Sequence, residues 1–181
     1  MSKRAIIIVD LQNDYRTDGR FPLSGIDAAV AKAARVVEAA RRAGDLVVHV
    51  RHESPADGPF FAVGTQGAEI MAAMAPQAGE AIVTKRFPNA FRETPLAGML
   101  ASAGVDDVTV IGAMSHMCID ATARAAADLG LRTTIVEDAC ATRDLAFKGE
   151  TVPAGTVHAA FMSALAFAYG EVVSTEDYLA R

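Results

Sequence analysis

Tryptophan is absent from the 181-residue chain, and aromatic residues make up only 6% of it; recognition through a large aromatic platform is thereby excluded. Cysteine is scarce too: Cys118 and Cys140 are the only two, too few for the disulfide framework that staples small secreted domains. No apolar run comes near the roughly 20 residues that cross a bilayer, and the longest, Ala159 to Tyr169, is alanine-rich and stops at Gly170. The opening MSKRAIIIVD passes from two basic residues into an apolar run shorter than the core of a secretory leader. A cytoplasmic protein with no membrane partner is the expectation. Basic runs are missing as well: 17 Lys and Arg stand against 22 Asp and Glu, a net charge of −5, so nothing marks a surface for nucleic acid phosphates. No G-x-G-x-x-G or G-x-x-x-x-G-K-[ST] follows any apolar run, which disfavours a nucleotide site.

What the chain does contain is enough apolar residues for a core. Hydrophobic residues make up 51% and charged residues 22%, which excludes disorder as the main theme, and the length fits a single domain over 1–181. Short β-branched runs recur, each followed by a segment with helical spacing. Ala5–Val9 is a continuous apolar run of the kind found in strands buried on both faces. Leu46–Val50, Ala81–Thr84, Asp107–Ile111, Thr133–Val136 and Glu171–Val173 supply further strands. Helices are expected over Ile26–Ala43, with Gly44 as C-cap, and over Pro95–Ala103, Cys118–Leu129, Pro153–Tyr169 and Thr175–Leu179. Strands alternating with helices imply right-handed crossovers and a mainly parallel sheet covered on both faces, a three-layer α/β/α fold. The long irregular stretch from about His52 to Pro76 has a length usually tied to function or mobility.

In an open parallel sheet the ligand crevice lies beyond the carboxyl ends of the strands. Asp10 ends the first strand, His49 to His52 the second and Lys85 the third, while the fourth runs into Gly112-Ala113-Met114-Ser115-His116-Met117-Cys118. Taken singly, each has an ordinary reading: Asp10 as a turn or cap residue, Lys85 as a solvated cation, Cys118 as a small core residue. Together they put a carboxylate, an ammonium and a thiol at one end of one sheet. If the strand order is 3-2-1-4-5-6, strands one and four are neighbours about 4.8 Å apart, and the roughly 10 Å between the Lys85 and Asp10 strands is within a lysine's reach. The helix start and nearby cations are expected to lower the Cys118 thiol pKa. Such a set suits acyl transfer, with Cys118 as nucleophile and Asp10 as the base that passes its proton to a leaving amine. Lys85 would hold both in their charged forms, and backbone N–H groups at the helix start would face the oxyanion.

Ile7-Ile8-Val9-Asp10-Leu11-Gln12-Asn13-Asp14, Val83-Thr84-Lys85-Arg86-Phe87, and Gly112 to Asp120 followed by Ala121-Thr122-Ala123-Arg124-Ala125-Ala126 carry a resemblance. In order and spacing, over nearly the whole chain, they are similar to the motifs of the isochorismatase-like cysteine hydrolase superfamily, which includes nicotinamidases, N-carbamoylsarcosine amidohydrolases and streptothricin hydrolases. The resemblance implies a catalytic triad of Asp10, Lys85 and Cys118 and a six-stranded parallel sheet. It also implies a cis peptide between Ala113 and Met114 and an oxyanion hole made by the N–H groups of Met114 and Cys118. Nicotinamidases of the family bind a metal through an Asp and two His after the second strand. Here that segment reads Val48-His49-Val50-Arg51-His52-Glu53, and His49 and His52 point to opposite faces of a continuing strand. Neither a metal nor a cofactor is expected. Isochorismatases proper cleave a vinyl ether without a nucleophilic cysteine, so Cys118 argues for the C–N hydrolases.

The expected reaction is hydrolysis of an amide-type C–N bond in a small molecule through a thioester. Its rivals are an isochorismatase-type vinyl ether hydrolase and a non-catalytic small-molecule-binding member of the family. Gln12, Phe21, His52 and His116 are candidates for lining the substrate pocket, as are the loop aromatics Phe60, Phe87 and Phe91, with Phe61 beside them. A structural role for His52 and a solvent-facing one for His116 are the alternatives. Ser115 reads as a helix N-cap, Cys140 as inert, and Met71, Met74 and Met99 as core filler. By resemblance, the assembly is a homodimer or homotetramer.

Overall fold

The apolar runs become the strands of one parallel sheet in the computed structural model, which describes residues 3–181. In chain order the elements are β1 (Lys3–Val9), α1 (Ile26–Ala43), β2 (Leu46–His52), β3 (Ala81–Lys85), α2 (Leu96–Ala103), β4 (Val105–Ala113), α3 (Asp120–Asp128), β5 (Arg132–Ala141), β6 (Leu145–Phe147), β7 (Glu150–Val152), α4 (Ala154–Ala168), β8 (Glu171–Val173) and α5 (Thr175–Leu179). The sheet order is β3-β2-β1-β4-β5-β8, and every pairing in it is parallel. This is the expected order, with β8 as the sixth strand. The antiparallel pair β6–β7, not expected from the sequence, lies between. Its two-residue turn, Lys148 (φ 51°) and Gly149 (φ 86°), has both central residues left-handed, the backbone that matches the twist of a tight hairpin.

Strand β1 shows why the sheet is covered on both sides. Ile6 and Ile8 pack with Ala29, Ala33, Val36 and Val37 of α1, whereas Ala5, Ile7 and Val9 pack with residues of α2, α3 and α4 such as Leu100, Ala123 and Leu165. Successive side chains of a strand alternate between faces, so an uninterrupted apolar run is what two buried faces require. Each Ile or Val fully buried there contributes about 1.5–3 kcal/mol. Helix α1 ends at Gly44, whose left-handed φ of 76° lets its N–H return to the last carbonyls of the helix.

One polar cluster ties α1 to the sheet edge on the side away from the strand ends. Glu80 accepts two hydrogen bonds from Arg41 (2.7 and 2.9 Å) and one from the Gln77 N–H (2.8 Å), and it lies 2.8 Å from Nε2 of the buried His49. The Arg41 guanidinium, chiefly, holds the Glu80 carboxyl down at about 2 from an ordinary 4.5. Because the folded value is the lower one, the contribution is fully present above pH 4.5 and is lost as pH falls through about 2. Glu80→Gln is therefore expected to cost about 2 kcal/mol near neutrality. In chemical denaturation the gap between variant and wild type should close as pH falls through that window.

Candidate active site

Four chain segments meet beyond the carboxyl ends of β1, β2, β3 and β4. Strand β1 stops because Asp10 takes a left-handed φ of 52° while its N–H still reaches the Val50 carbonyl (2.9 Å). Aspartate is among the few non-glycine residues that tolerate this region. Lys85 and His52, the last residues of β3 and β2, are register partners and so share a face. After β4 comes the cis peptide Ala113–Met114 that the resemblance implied. Just before it, Gly112 has a φ of 127°, and a Cβ there would stand 1.9 Å from the Val9 carbonyl oxygen. Only glycine lets β4 press against β1 where the loop to Cys118 departs. The expected helix from Cys118 begins instead at Asp120. Ser115–Ile119 form a wider, π-type turn, with the Met114 carbonyl accepting from both Met117 (3.0 Å) and Ile119 (3.2 Å).

Lys85 spans β2 to reach the centre of this arrangement. Its Nζ lies 2.7 Å from Asp10 Oδ2, 3.2 Å from Cys118 Sγ and 3.1 Å from His52 Nδ1, three acceptors for the three donors of an ammonium. All three catalytic candidates are shut away from solvent: Asp10 is 0% exposed, Lys85 1% and Cys118 7%. Oδ2 of Asp10 is held by the Lys85 ion pair, whereas Oδ1 has no partner among the described residues, so the carboxylate retains acceptor capacity.

The electrostatics correct one expectation. Burial, followed by the negative charge of Asp10, pushes the Cys118 thiol well above its ordinary value; Lys85 pulls the other way and is outweighed. The thiol is thus protonated at rest, whereas the sequence suggested a depressed pKa. Burial alone would also discharge Lys85, but Asp10 and Cys118 together raise its pKa and keep the ammonium. His52 is lowered by burial and then by Lys85, against a smaller pull from Asp10. It is neutral near pH 7, accepts from Lys85 at Nδ1 and carries its proton on Nε2.

Other expected pocket residues divide. Gln12 is not free to meet a ligand: it is fully buried, its amide N–H groups donate to the His52 and Ala68 carbonyls (2.9 and 2.7 Å), and its oxygen accepts from His52 N (2.8 Å). It braces the long loop against β2. Phe21 and Phe60 stack at 4.5 Å and join Tyr15 and the fully buried Phe61 in one aromatic cluster, with His52 at its edge. Phe91 packs on the core that contains Cys118, while Phe87 lies apart from the cluster under the Arg92 guanidinium (3.7 Å). His116 is half-buried; its Nδ1 meets Thr142 Oγ1 at 2.6 Å and its ring meets Phe161 edge-on. Ser115 caps no helix, and its Oγ turns inward toward β5 and α4. Cys140 is buried in the core and its thiol is pushed up to about 12 by that burial. Met71 and Met74 are core residues, and Met99 packs at the core's edge. No three His, Cys, Asp or Glu among the described residues are grouped as metal ligands.

Three residues of this region were given no role of their own in the sequence reading. Tyr15 is buried in the aromatic cluster, and its hydroxyl pKa is raised by burial, then by Asp10 and Cys118, and lowered slightly by Arg143. It therefore shares the triad's electrostatic field. Arg143, two residues beyond β5, lies 4.2 Å over the Phe21 ring and donates from Nε to the Asp144 carbonyl (3.4 Å), with no carboxylate partner among the described residues. It stands at the same end of the sheet as the triad, and the strand-end rule that singled out Lys85 could have found it. Asp14 accepts from Phe61 N (2.6 Å) and Arg20 N (3.4 Å), pinning two loops around the site.

Comparison with known proteins agrees with this fold. The isochorismatase domain model matches residues 4–177. Isochorismatase family protein YddQ of Bacillus subtilis is 41% identical over 176 residues, covering 97% of this chain and 98% of that protein. Maleamate amidohydrolase of Pseudomonas putida is 34% identical over 191 residues, covering 97% and 84%. Among solved structures, an isochorismatase from Pseudomonas putida KT2440 superposes with a TM-score of 0.91 at 40% identity, covering 96% of this chain and 89% of that one.

Proposed function

The chain belongs to the isochorismatase family of hydrolases, and within it we propose a cysteine-dependent amidohydrolase that cleaves a small-molecule C–N bond through a thioester. The observation that carries this reading is the Lys85 ammonium, buried between the Asp10 carboxylate at 2.7 Å and the Cys118 thiol at 3.2 Å. Asp10 takes the Cys118 proton as Sγ attacks the substrate carbonyl. The oxyanion forms toward the N–H groups of Met114 and Cys118, and Lys85 offsets the negative charge that attack brings into the pocket. Asp10 then protonates the leaving nitrogen, so ammonia or an amine departs and an acyl-Cys118 thioester remains. Water, deprotonated by Asp10, releases the acid and restores the thiol. No side chain beyond these three needs to move a proton. The test is ammonia release over a panel of small carboxamides, with intact-mass detection of an acyl adduct on Cys118 from a slow substrate. No turnover and no adduct across the panel would refute the reading.

The surroundings also favour a charged substrate. Arg143 is a cation without a carboxylate partner among the described residues, beside the aromatic cluster and within the field of Tyr15 and His116. Maleamate amidohydrolase, a relative, is named for an anionic amide. Arg143→Met is expected to raise KM about 10- to 100-fold for an amide that carries a carboxylate, the worth of a charged hydrogen bond, and to spare a matched neutral amide. Equal effects on both would remove Arg143 from substrate recognition.

A further inference from the structure

Behind the nucleophile turn runs a hydrogen-bonded chain that the chemistry above does not use. Ser115, three residues before Cys118, is fully buried; its Oγ lies 2.8 Å from Nδ1 of His158 on α4 and 3.3 Å from the Ala141 carbonyl at the end of β5. On its other side, His158 Nε2 stands 3.4 Å from Oε2 of Glu137 on β5. A serine hydroxyl has a single proton to donate. The Ala141 carbonyl, which can only accept, and His158 Nδ1 both face that proton, and the contacts join Ser115, His158 and Glu137 in one chain behind the turn.

The turn needs such support. Its Met114 carbonyl is shared between the N–H groups of Met117 and Ile119, so its own hydrogen bonds hold it less firmly than a regular helix start would. Cys118 Sγ must nevertheless sit 3.2 Å from Lys85, and a shift of about 1 Å in a reacting group can lower a rate about 100-fold. We propose that the Glu137–His158–Ser115 chain positions the nucleophile, with His158, outside the substrate pocket, fixing the turn that aims Sγ at Lys85 and Asp10. The proposal rests on the reading of Cys118 as the nucleophile.

The experiment compares His158→Ala, Ser115→Ala and their double variant with His158→Asn, whose side-chain amide can hydrogen-bond Ser115 Oγ where Nδ1 did. Two rates are measured in folded protein: turnover of an amide hydrolysed by the wild type, and alkylation of Cys118 by iodoacetamide followed by intact mass, which needs no substrate. Each alanine variant is expected to lower kcat about 10- to 100-fold with KM nearly unchanged, and to slow alkylation because Sγ loses the support of Lys85. The double variant should be no worse than the poorer single one, since both break the same link, and His158→Asn should recover most of kcat. Wild-type rates in His158→Ala, losses that multiply in the double variant, or no recovery with asparagine would each overturn the proposal. If His158→Ala does not fold, Glu137→Gln takes its place and should show part of the same loss; a wild-type rate there overturns the proposal equally. A wild type inactive on every amide refutes the amidohydrolase reading while the alkylation rates still decide the positioning role.

Discussion

Asp10→Asn is expected to drop amide turnover to the level of Cys118→Ala, about 10⁴-fold below wild type, and at the same time to make Cys118 easier to alkylate. The two effects run in opposite directions because Asp10 has two influences on the thiol. In the proposed mechanism it is the base that takes the Cys118 proton on attack, and asparagine cannot take that proton. As a charge it raises the thiol pKa, adding to burial and outweighing Lys85. Replacing it with a neutral isostere leaves Lys85 as the one charge beside Sγ, at 3.2 Å, and the buried ammonium then draws a thiolate as its counter-ion. Iodoacetamide needs a thiolate but no general base, so its rate should rise near neutral pH while ammonia release vanishes. Alkylation that stays constant or slows in Asp10→Asn would show that the carboxylate does not set the state of the thiol. Turnover that survives would show that it is not the base.

The strand ends were the legible part of this site. Asp10, Lys85 and the loop to Cys118 could be placed together because parallel strands present their carboxyl ends on one edge, and the structure brings the three within hydrogen-bonding and ion-pairing distance. The expected layers and sheet order follow from the same runs. What the sequence hid depends on burial and on partners far away in the chain. The thiol was expected to be acidic because cations and a helix start are visible in a sequence, whereas desolvation, which dominates here, is not. Gln12 looked like a pocket residue because its neighbours are; only the fold shows its amide occupied by His52 and Ala68, 40 and 56 residues on. The Ser115 hydroxyl meets a histidine 43 residues later, which no local pattern announces. The β6–β7 hairpin did leave a signal, the Lys148-Gly149 pair between two short runs, too brief to stand out beside the longer strands.

Lys85→Met is expected to be the costliest single substitution for stability, and its companion double variant separates charge balance from catalysis. Methionine matches the length and apolar stem of the lysine but removes the cation, leaving Asp10 0% exposed and without a counter-charge. Breaking a buried pair from one side typically costs about 3–5 kcal/mol, because the remaining charge stays desolvated. The thiol also loses the one group that lowers its pKa, so alkylation should slow, the mirror image of Asp10→Asn. Adding Asp10→Asn to Lys85→Met removes both charges together, and an uncharged pair of similar volume in a dry site is often neutral for stability. The double variant should therefore regain most of the lost unfolding free energy while remaining as inactive as either single variant. Denaturant titration of the four proteins measures the coupling. If the two losses simply add, the buried ion pair is not what stabilises this end of the sheet, and Lys85 supports the fold through packing of its stem.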